Sequence, residues 1–368
     1  MLHFSNNYIS SKVHGNLVDA LGRLFGKQHV LVPVRRQSDV GVNDSGQPGV
    51  HVHYYPYPNL LRYFPLIKVL FIFLRSLSKL NSDLVEGARQ SGCLAHNLWS
   101  DGVPVLLLST VCRFRYLVVV RNTDINVFVP KLPHYRWLVR LVIKRSEGLV
   151  FISPAHKKRF ERSWPGLISS ARKVEVIPNG VGEFWHRNRL TNTIRRPVSA
   201  CFVGKFDENK NLRRLVQAAE LCFAHDPAFQ LVLVGGTESE FLKITGVRAV
   251  PDYVDIRGYL ASPQALADIL QRCRVFVMPS LRETFGLVFI EALSQGCTLV
   301  CSRGEGIDGF FESEFVQSVD PTSSKEIYKA VERMLSSYEE GCSIDWMHEQ
   351  LDHFAWPTIA VKYNRLFS

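Results

Sequence analysis

The sequence predicts an α/β protein built from two doubly wound parallel sheets. Three observations lead there. Apolar strand-like runs alternate with helix-like segments, and the alternation starts over near residue 198. The chain has 368 residues, enough for two domains at roughly 150 residues each. Residues 275–301 also spell out one complete repeating unit. The apolar run Val275 to Met278 is closed by Pro279 and Ser280. A stretch from about Thr284 to Gln295 holds no helix breaker except Gly286, Gly296 caps it, and Leu299 to Cys301 begins another strand. This is a strand, a helix and a parallel strand.

The first half follows the same plan. Residues 2–5 read as a strand, and Ser10 is placed to cap a helix over about 11–25. His29 to Val34 is a strand, 37–50 a Gly-rich loop. In H-V-H-Y-Y-P-Y-P, 51–58, His51 and His53 would share one face of a strand; no third ligand is placed by spacing, so a structural strand is favoured over a metal pair. A short apolar run ends at His96, where open α/β sheets bind ligands; His96 is either a ligand contact or a satisfied core histidine. The run from Tyr116 ends in Arg121-Asn122-Thr123-Asp124, where Arg121 meets a phosphate or pairs with Asp124. Gly148 to Ser153 and Val174 to Pro178 are further strands. Between them a basic helix carries His156, Lys157, Lys158 and Arg159. P-N-G-V, 178–181, is a turn, and 183–197 reads as a polar linker.

The second half restarts at Ser199 to Val203. A strand, Gly204, a loop and a helix from about Leu212 make a phosphate site, without the spacing of a Walker loop. Gln230 to Gly235 and Tyr253 to Gly258 are strands. Ser262 caps a helix with Pro263 at its first position. Helices follow near 323–338 and 355–367. No strand leads into G-x-G-x-x-G, which argues against an NAD-dependent oxidoreductase.

Composition narrows the partners. The formal charge is +10 and the pI about 9.2, suiting a nucleotide sugar or an anionic membrane face. With no zinc-finger spacing, RNA-binding signature or basic tail, no nucleic acid is expected. Eight scattered cysteines without C-x-x-C read as reduced core residues of a cytoplasmic protein. His3, Ser5, Asn6 and Asn7 interrupt any signal-peptide core. Phe64 to Leu80 contains Lys68, Arg75 and Lys79, and is too short and charged to span a bilayer. It is first a core helix, second a helix lying on a membrane surface.

Two carboxylates carry the chemistry of 275–301. On a helical path Glu283 and Glu291 would lie roughly 12 Å apart, about the reach of a sugar, a diphosphate and the start of a ribose. The helix N-terminus between them suits phosphate oxygens. Glu291 stands among Leu287, Val288, Phe289, Ile290, Ala292 and Leu293. Buried there, it would need hydrogen bonds such as a ribose diol offers; otherwise it faces solvent.

The pattern P-S-x-x-E-T-F-G-L-V-x-x-E-A-L-S-x-G resembles the donor-site motif of retaining glycosyltransferases of family 4, the group 1 glycosyltransferases. The resemblance implies the GT-B fold: two Rossmann-like domains facing across a cleft, here 1–182 and 183–353, with a C-terminal helix, 354–368, crossing back to the first. It implies that Glu283 contacts the donor sugar, Glu291 holds the ribose, and Gly204, Thr284, Phe285, Gly286 and Leu287 line the nucleotide sugar. Arg257 falls in the region that meets the base. Lys205 and Lys210 match the family's two cations on the departing diphosphate; Lys205 replaces an Arg and loses its bidentate fork. His96 would stand near the donor sugar, and Lys12, Arg121 and Asp124 on the acceptor side. The family's Gly pair near residue 10 is absent, leaving Ser10, Ser11 and Lys12 to serve phosphates or a cap.

The implied reaction is retaining transfer of a hexose from a UDP- or GDP-linked donor to a glycan or lipid-linked acceptor in cell-surface polysaccharide synthesis. No D-x-D motif serves the diphosphate, so neither metal nor separate cofactor is expected. The expected location is cytoplasmic, at the inner face of the membrane. A sugar-nucleotide epimerase or phosphorylase, and a non-catalytic nucleotide-sugar binding module, are the alternatives. The resemblance is weakest over 35–90, where acceptors are chosen.

Overall fold

A computed structural model describes residues 1–367, Arg62 by its backbone alone. The chain divides into two compact units. The first comprises Met1–Ile152, His156–Gly180 and the chain from Trp356 onward; the second comprises Ser153–Ala155 and Val181–Ala355.

The first unit contains seven parallel strands: β1 (Leu2–Phe4), β2 (Gln28–Val34), β3 (Val50–Pro56), β4 (Cys93–Ala95), β5 (Tyr116–Val120), β6 (Gly148–Phe151) and β7 (Val174–Val176), in the order β3-β2-β1-β4-β5-β6-β7. Phe4 registers with Leu31 on one side and Ala95 on the other. Helices cover both faces of such a sheet, so central strands are apolar throughout; all of Tyr116–Val120 is buried. The second unit repeats the design with six parallel strands: β8 (Ser199–Val203), β9 (Gln230–Val234), β10 (Val254–Ile256), β11 (Val275–Met278), β12 (Thr298–Ser302) and β13 (Val316–Val319), in the order β10-β9-β8-β11-β12-β13. Each order reverses once, between β1 and β4 and between β8 and β11. Ligands bind open α/β sheets beyond the strand ends at such reversals.

Several local expectations need correction. The first helix, Lys12–Phe25, is capped by Ser11, whose oxygen accepts from the Val13 N–H at 3.3 Å; Ser10 ends a preceding 3₁₀ turn. The helix after β11 runs only from Leu287 to Ser294. Gly286 precedes it at φ 77°, a left-handed turn that ends the helical path, so helical rise does not set the separation of Glu283 and Glu291. Residues 183–197 are a solvated linker only at 191–195, which are exposed and outside any helix or strand. The rest of the range contains the helix Glu183–Arg187 and the buried Arg196, which donates to the carbonyls of Cys273 at 2.7 Å and Gln295 at 2.6 Å. Polarity alone cannot distinguish such a carbonyl-binding Arg from a surface one.

The last helix, Trp356–Arg365, packs against Lys12–Phe25 in the first unit; Ser368 lies outside the described residues. All eight cysteines are buried and free. No helix among the described residues is long and apolar enough to cross a membrane.

Candidate donor and acceptor sites

The second unit builds its site at the β8/β11 reversal. After β8, Gly204 packs against the Gly235 backbone. A Cβ on Gly235, at φ 106°, would stand 2.5 Å from the Gly204 oxygen, so the turn requires glycine there. Asp207 then caps a 3₁₀ turn, Glu208–Lys210, accepting from the Lys210 N–H at 3.0 Å. Asn211 takes φ 60°, which asparagine tolerates. Its amide donates to the carbonyls of Pro279 at 3.0 Å and Pro321 at 2.6 Å. Asn209 exchanges hydrogen bonds with the Arg282 backbone, donating at 2.9 Å and accepting at 3.1 Å. The loop after β8 is thereby clipped to the loop after β11.

Within this clip, Lys210 Nζ lies 2.6 Å from Glu283 Oε2 and 3.5 Å from Met278 Sδ. Both side chains are mostly buried yet reach solvent. Glu283 is fixed from three sides. Its Oε1 accepts from the Thr284 N–H at 3.0 Å, and its own N–H donates to Glu305 at 3.0 Å. Gly306 presses against it: a Cβ there would meet Glu283 Cγ at 2.9 Å. Glu305, buried just past β12, was not anticipated; an acid between two glycines at a strand end was the available signal.

Glu291 sits on the second turn of its helix, half-buried, and its carboxylate has no hydrogen-bond partner among the described residues. Burial raises its pKa from 4.5 to about 7. Lys205 is exposed beside Gly204. Phe285 is buried against Phe310, while Thr284, Gly286 and Leu287 are half-buried. Arg257 is exposed and paired with Asp255 at 2.6 Å.

The first unit's histidine is a correction. His96 is fully buried; its Nε2 lies 3.2 Å from His3 Nδ1 and its Nδ1 lies 2.9 Å from His14 Nδ1. His3 continues to Gln28 at 2.9 Å. With both ring nitrogens engaged, His96 offers nothing to a sugar. Burial, first among the causes, lowers all three histidines, His3 to about 3, so all are neutral at pH 7. The chain fixes strand ends instead.

Asp124 is likewise buried, accepting from the N–H groups of Leu98, Trp99 and Arg121, each at 3.0 Å. It clamps the loop after β4 to the loop after β5 and is not exposed to an acceptor. The Arg121 guanidinium donates to the His96 carbonyl at 3.3 Å and to Asn179 Oδ1 at 3.0 Å, rather than pairing with Asp124. Lys12 is exposed at the start of its helix.

A hollow in this unit lies elsewhere. It measures about 500 Å³ and sits over the ends of β1, β2 and β3, lined by Asn6, Arg35, Arg36, Tyr57 and Lys68 among others. Asn6 is held by Asp101, to which its amide donates at 2.7 Å. Arg35 Nε donates to the Tyr57 hydroxyl at 3.2 Å, and Lys68 lies 5.1 Å from the Tyr57 ring centre. Three cations against Asp39 make this hollow fit an anionic group. The paired arginines directly after β2 were the missed sequence signal.

Residues 191–343 match the family model for glycosyl transferases group 1. The chain is 25% identical over 255 residues to a putative teichuronic acid biosynthesis glycosyltransferase of Bacillus subtilis, covering 65% of this chain and 60% of that one. It spans about half the length of the curated relatives it matches. Among solved structures it superimposes on sucrose-phosphate synthase from Thermosynechococcus elongatus, with a TM-score of 0.66 and 20% identity, covering 100% of this chain and 97% of that one. A trehalose-6-phosphate structure from E. coli, bound with UDP-2-fluoro glucose, gives 0.71 at 15% identity, with coverage of 100% and 98%. At these identities the structural likeness is one of fold.

Proposed function

We propose, from the premise that residues 191–343 form a group 1 glycosyl transferase domain in a chain of GT-B fold, that this protein transfers a hexose from a UDP- or GDP-linked donor to a hydroxyl of a glycan or lipid-linked acceptor. The observation that carries this reading is the ion pair of Lys210 and Glu283 at the β8/β11 reversal, with Glu291 on the helix that follows. Lys210 neutralises the charge that grows on the diphosphate as the glycosidic bond breaks, with exposed Lys205 as a second cation. Glu283 orients the sugar hydroxyls. Glu291 accepts both hydroxyls of the ribose, which replace the water its carboxylate lacks when buried.

The transfer retains configuration: the acceptor oxygen attacks on the face the diphosphate leaves, and a phosphate oxygen takes its proton. Lysines at the diphosphate suit a reaction that runs without a metal. The acceptor binds in the cationic hollow of the first unit, and the setting is cell-surface polysaccharide synthesis at the cytoplasmic face of a membrane. A relative named for teichuronic acid biosynthesis supports that setting.

The test is a panel of nucleotide sugars read by thermal shift, followed by turnover with candidate acceptors in chelator. One UDP- or GDP-sugar should stabilise the protein and be consumed only when acceptor is present. Rearrangement of the sugar without acceptor would indicate an epimerase. Binding without turnover would indicate a binding module. Activity restored only by manganese would overturn the metal-free mechanism.

A further inference from the structure

The helix Pro65–Leu77 turns only one side to the core: Val69, Ile72 and Ser76, at intervals of three and four, are buried. The opposite side is apolar as well. Ile67, Leu70 and Leu74, at the same intervals and offset by about 200°, are 56%, 52% and 54% exposed. The preceding turn, Asn59–Tyr63, and its C-cap extend this stripe with Leu60, Tyr63 and Phe64, all exposed. A core helix would bury these residues, and a solvated one would carry polar groups there. So large a patch on one element marks an interaction surface.

Charge indicates what covers it. No acidic residue occurs between Asp44 and Asp83. Lys68 and Arg75, seven residues apart, lie along one flank of the helix, and exposed Lys79 follows its end. An apolar stripe edged by cations, with no anion beside it, is complementary to an anionic bilayer: the stripe enters the acyl boundary while the cations meet headgroup phosphates. Lys68 also lines the cationic hollow over the ends of β1 to β3. An acceptor anchored in the same bilayer would therefore present its charged group beside the docked helix.

We propose that the face formed by Leu60, Tyr63, Phe64, Ile67, Leu70 and Leu74 docks this protein onto an anionic membrane, with the hollow opening beside the bilayer surface. Delivery of a lipid-borne acceptor rests on the function proposed above; the docking does not.

The test is flotation of the full chain with phosphatidylglycerol-containing vesicles and with pure phosphatidylcholine vesicles. The chain should float with the anionic vesicles only, and less so as salt is raised. Ile67→Glu/Leu70→Glu should lower the bound fraction at least tenfold. Arg75→Glu/Lys79→Glu should lower it several-fold. Thermal unfolding and nucleotide-sugar thermal shift, measured without vesicles, should match wild type in both variants, so loss of docking is distinguished from loss of the donor site. No flotation, equal flotation with neutral vesicles, or unchanged flotation of the Ile67→Glu/Leu70→Glu variant would overturn the proposal. So would a wild-type dimer in solution that this variant dissociates, since a second copy would then cover the face.

Discussion

Glu291→Gln should make the protein more stable and bind donor less well. In the free protein burial raises the Glu291 pKa from 4.5 to about 7. A carboxyl with a raised folded-state pKa holds its proton more tightly when folded. Its contribution is therefore intact below pH 4.5 and is lost as pH rises through about 7. Holding the proton up to about pH 7 instead of 4.5, at about 1.36 kcal/mol per tenfold change in proton affinity, sets the cost of the buried charge near pH 8 at about 3 kcal/mol. For a domain of this size, removing it should raise Tm by about 6 to 12 °C. At pH 5 the same linkage leaves under about 1 kcal/mol, so the two proteins should nearly coincide. Calorimetry of wild type and Glu291→Gln at both pH values reads this directly. Nucleotide-sugar affinity should fall about tenfold, because an amide presents one acceptor where the diol needs two. A variant no more stable at pH 8, or equally shifted at both pH values, would refute the burial argument. A stabilised variant with unchanged affinity would remove the ribose role.

Substitutions at two further positions test the loops that hold Lys210. Asn211→Ala loses two hydrogen bonds to carbonyls and puts at φ 60° a residue without the polar side chain that lets asparagine tolerate that conformation, so it should cost about 3 kcal/mol, with Asn211→Gly recovering about 1 kcal/mol by denaturant titration. Equal losses would show that backbone conformation is not part of the cost. Gly235→Ala forces a Cβ against the Gly204 carbonyl and should destabilise by about 3 kcal/mol or more while abolishing nucleotide-sugar thermal shift; wild-type behaviour would mean the two glycines need not touch.

Both sheets were legible in the sequence because parallel strands buried on two faces are continuous apolar runs, as in Val275–Met278 and Tyr116–Val120. Glu283 and Lys210 come from the family resemblance, and the strand order explains why two residues 73 positions apart meet: the loops after β8 and β11 converge at the reversal. The histidine chain was not. His3, His14 and His96 are separated by up to 93 residues, and only the fold reveals that they satisfy one another. Asp124 misled for a related reason: a buried carboxylate that accepts three backbone N–H groups has the same sequence context as one that meets a ligand. The cluster of Arg35, Arg36 and Lys68 is not legible in the sequence because these residues come from the stretch with the weakest resemblance and gather only where β2 and β3 end. The short helix Leu287–Ser294 was overextended because a single glycine in a helical pattern is usually tolerated, whereas Gly286 turns left-handed.

The donor assignment is tested most directly by calorimetric titration of wild type, Lys210→Met and Glu283→Gln with a nucleoside diphosphate and with the matching nucleotide sugar. Lys210→Met should weaken both ligands at least tenfold, because the ammonium meets the diphosphate. Glu283→Gln should leave the nucleoside diphosphate bound as in wild type and weaken only the nucleotide sugar. Wild-type affinity of both variants for both ligands would contradict the assignment of Lys210 to the diphosphate and Glu283 to the sugar.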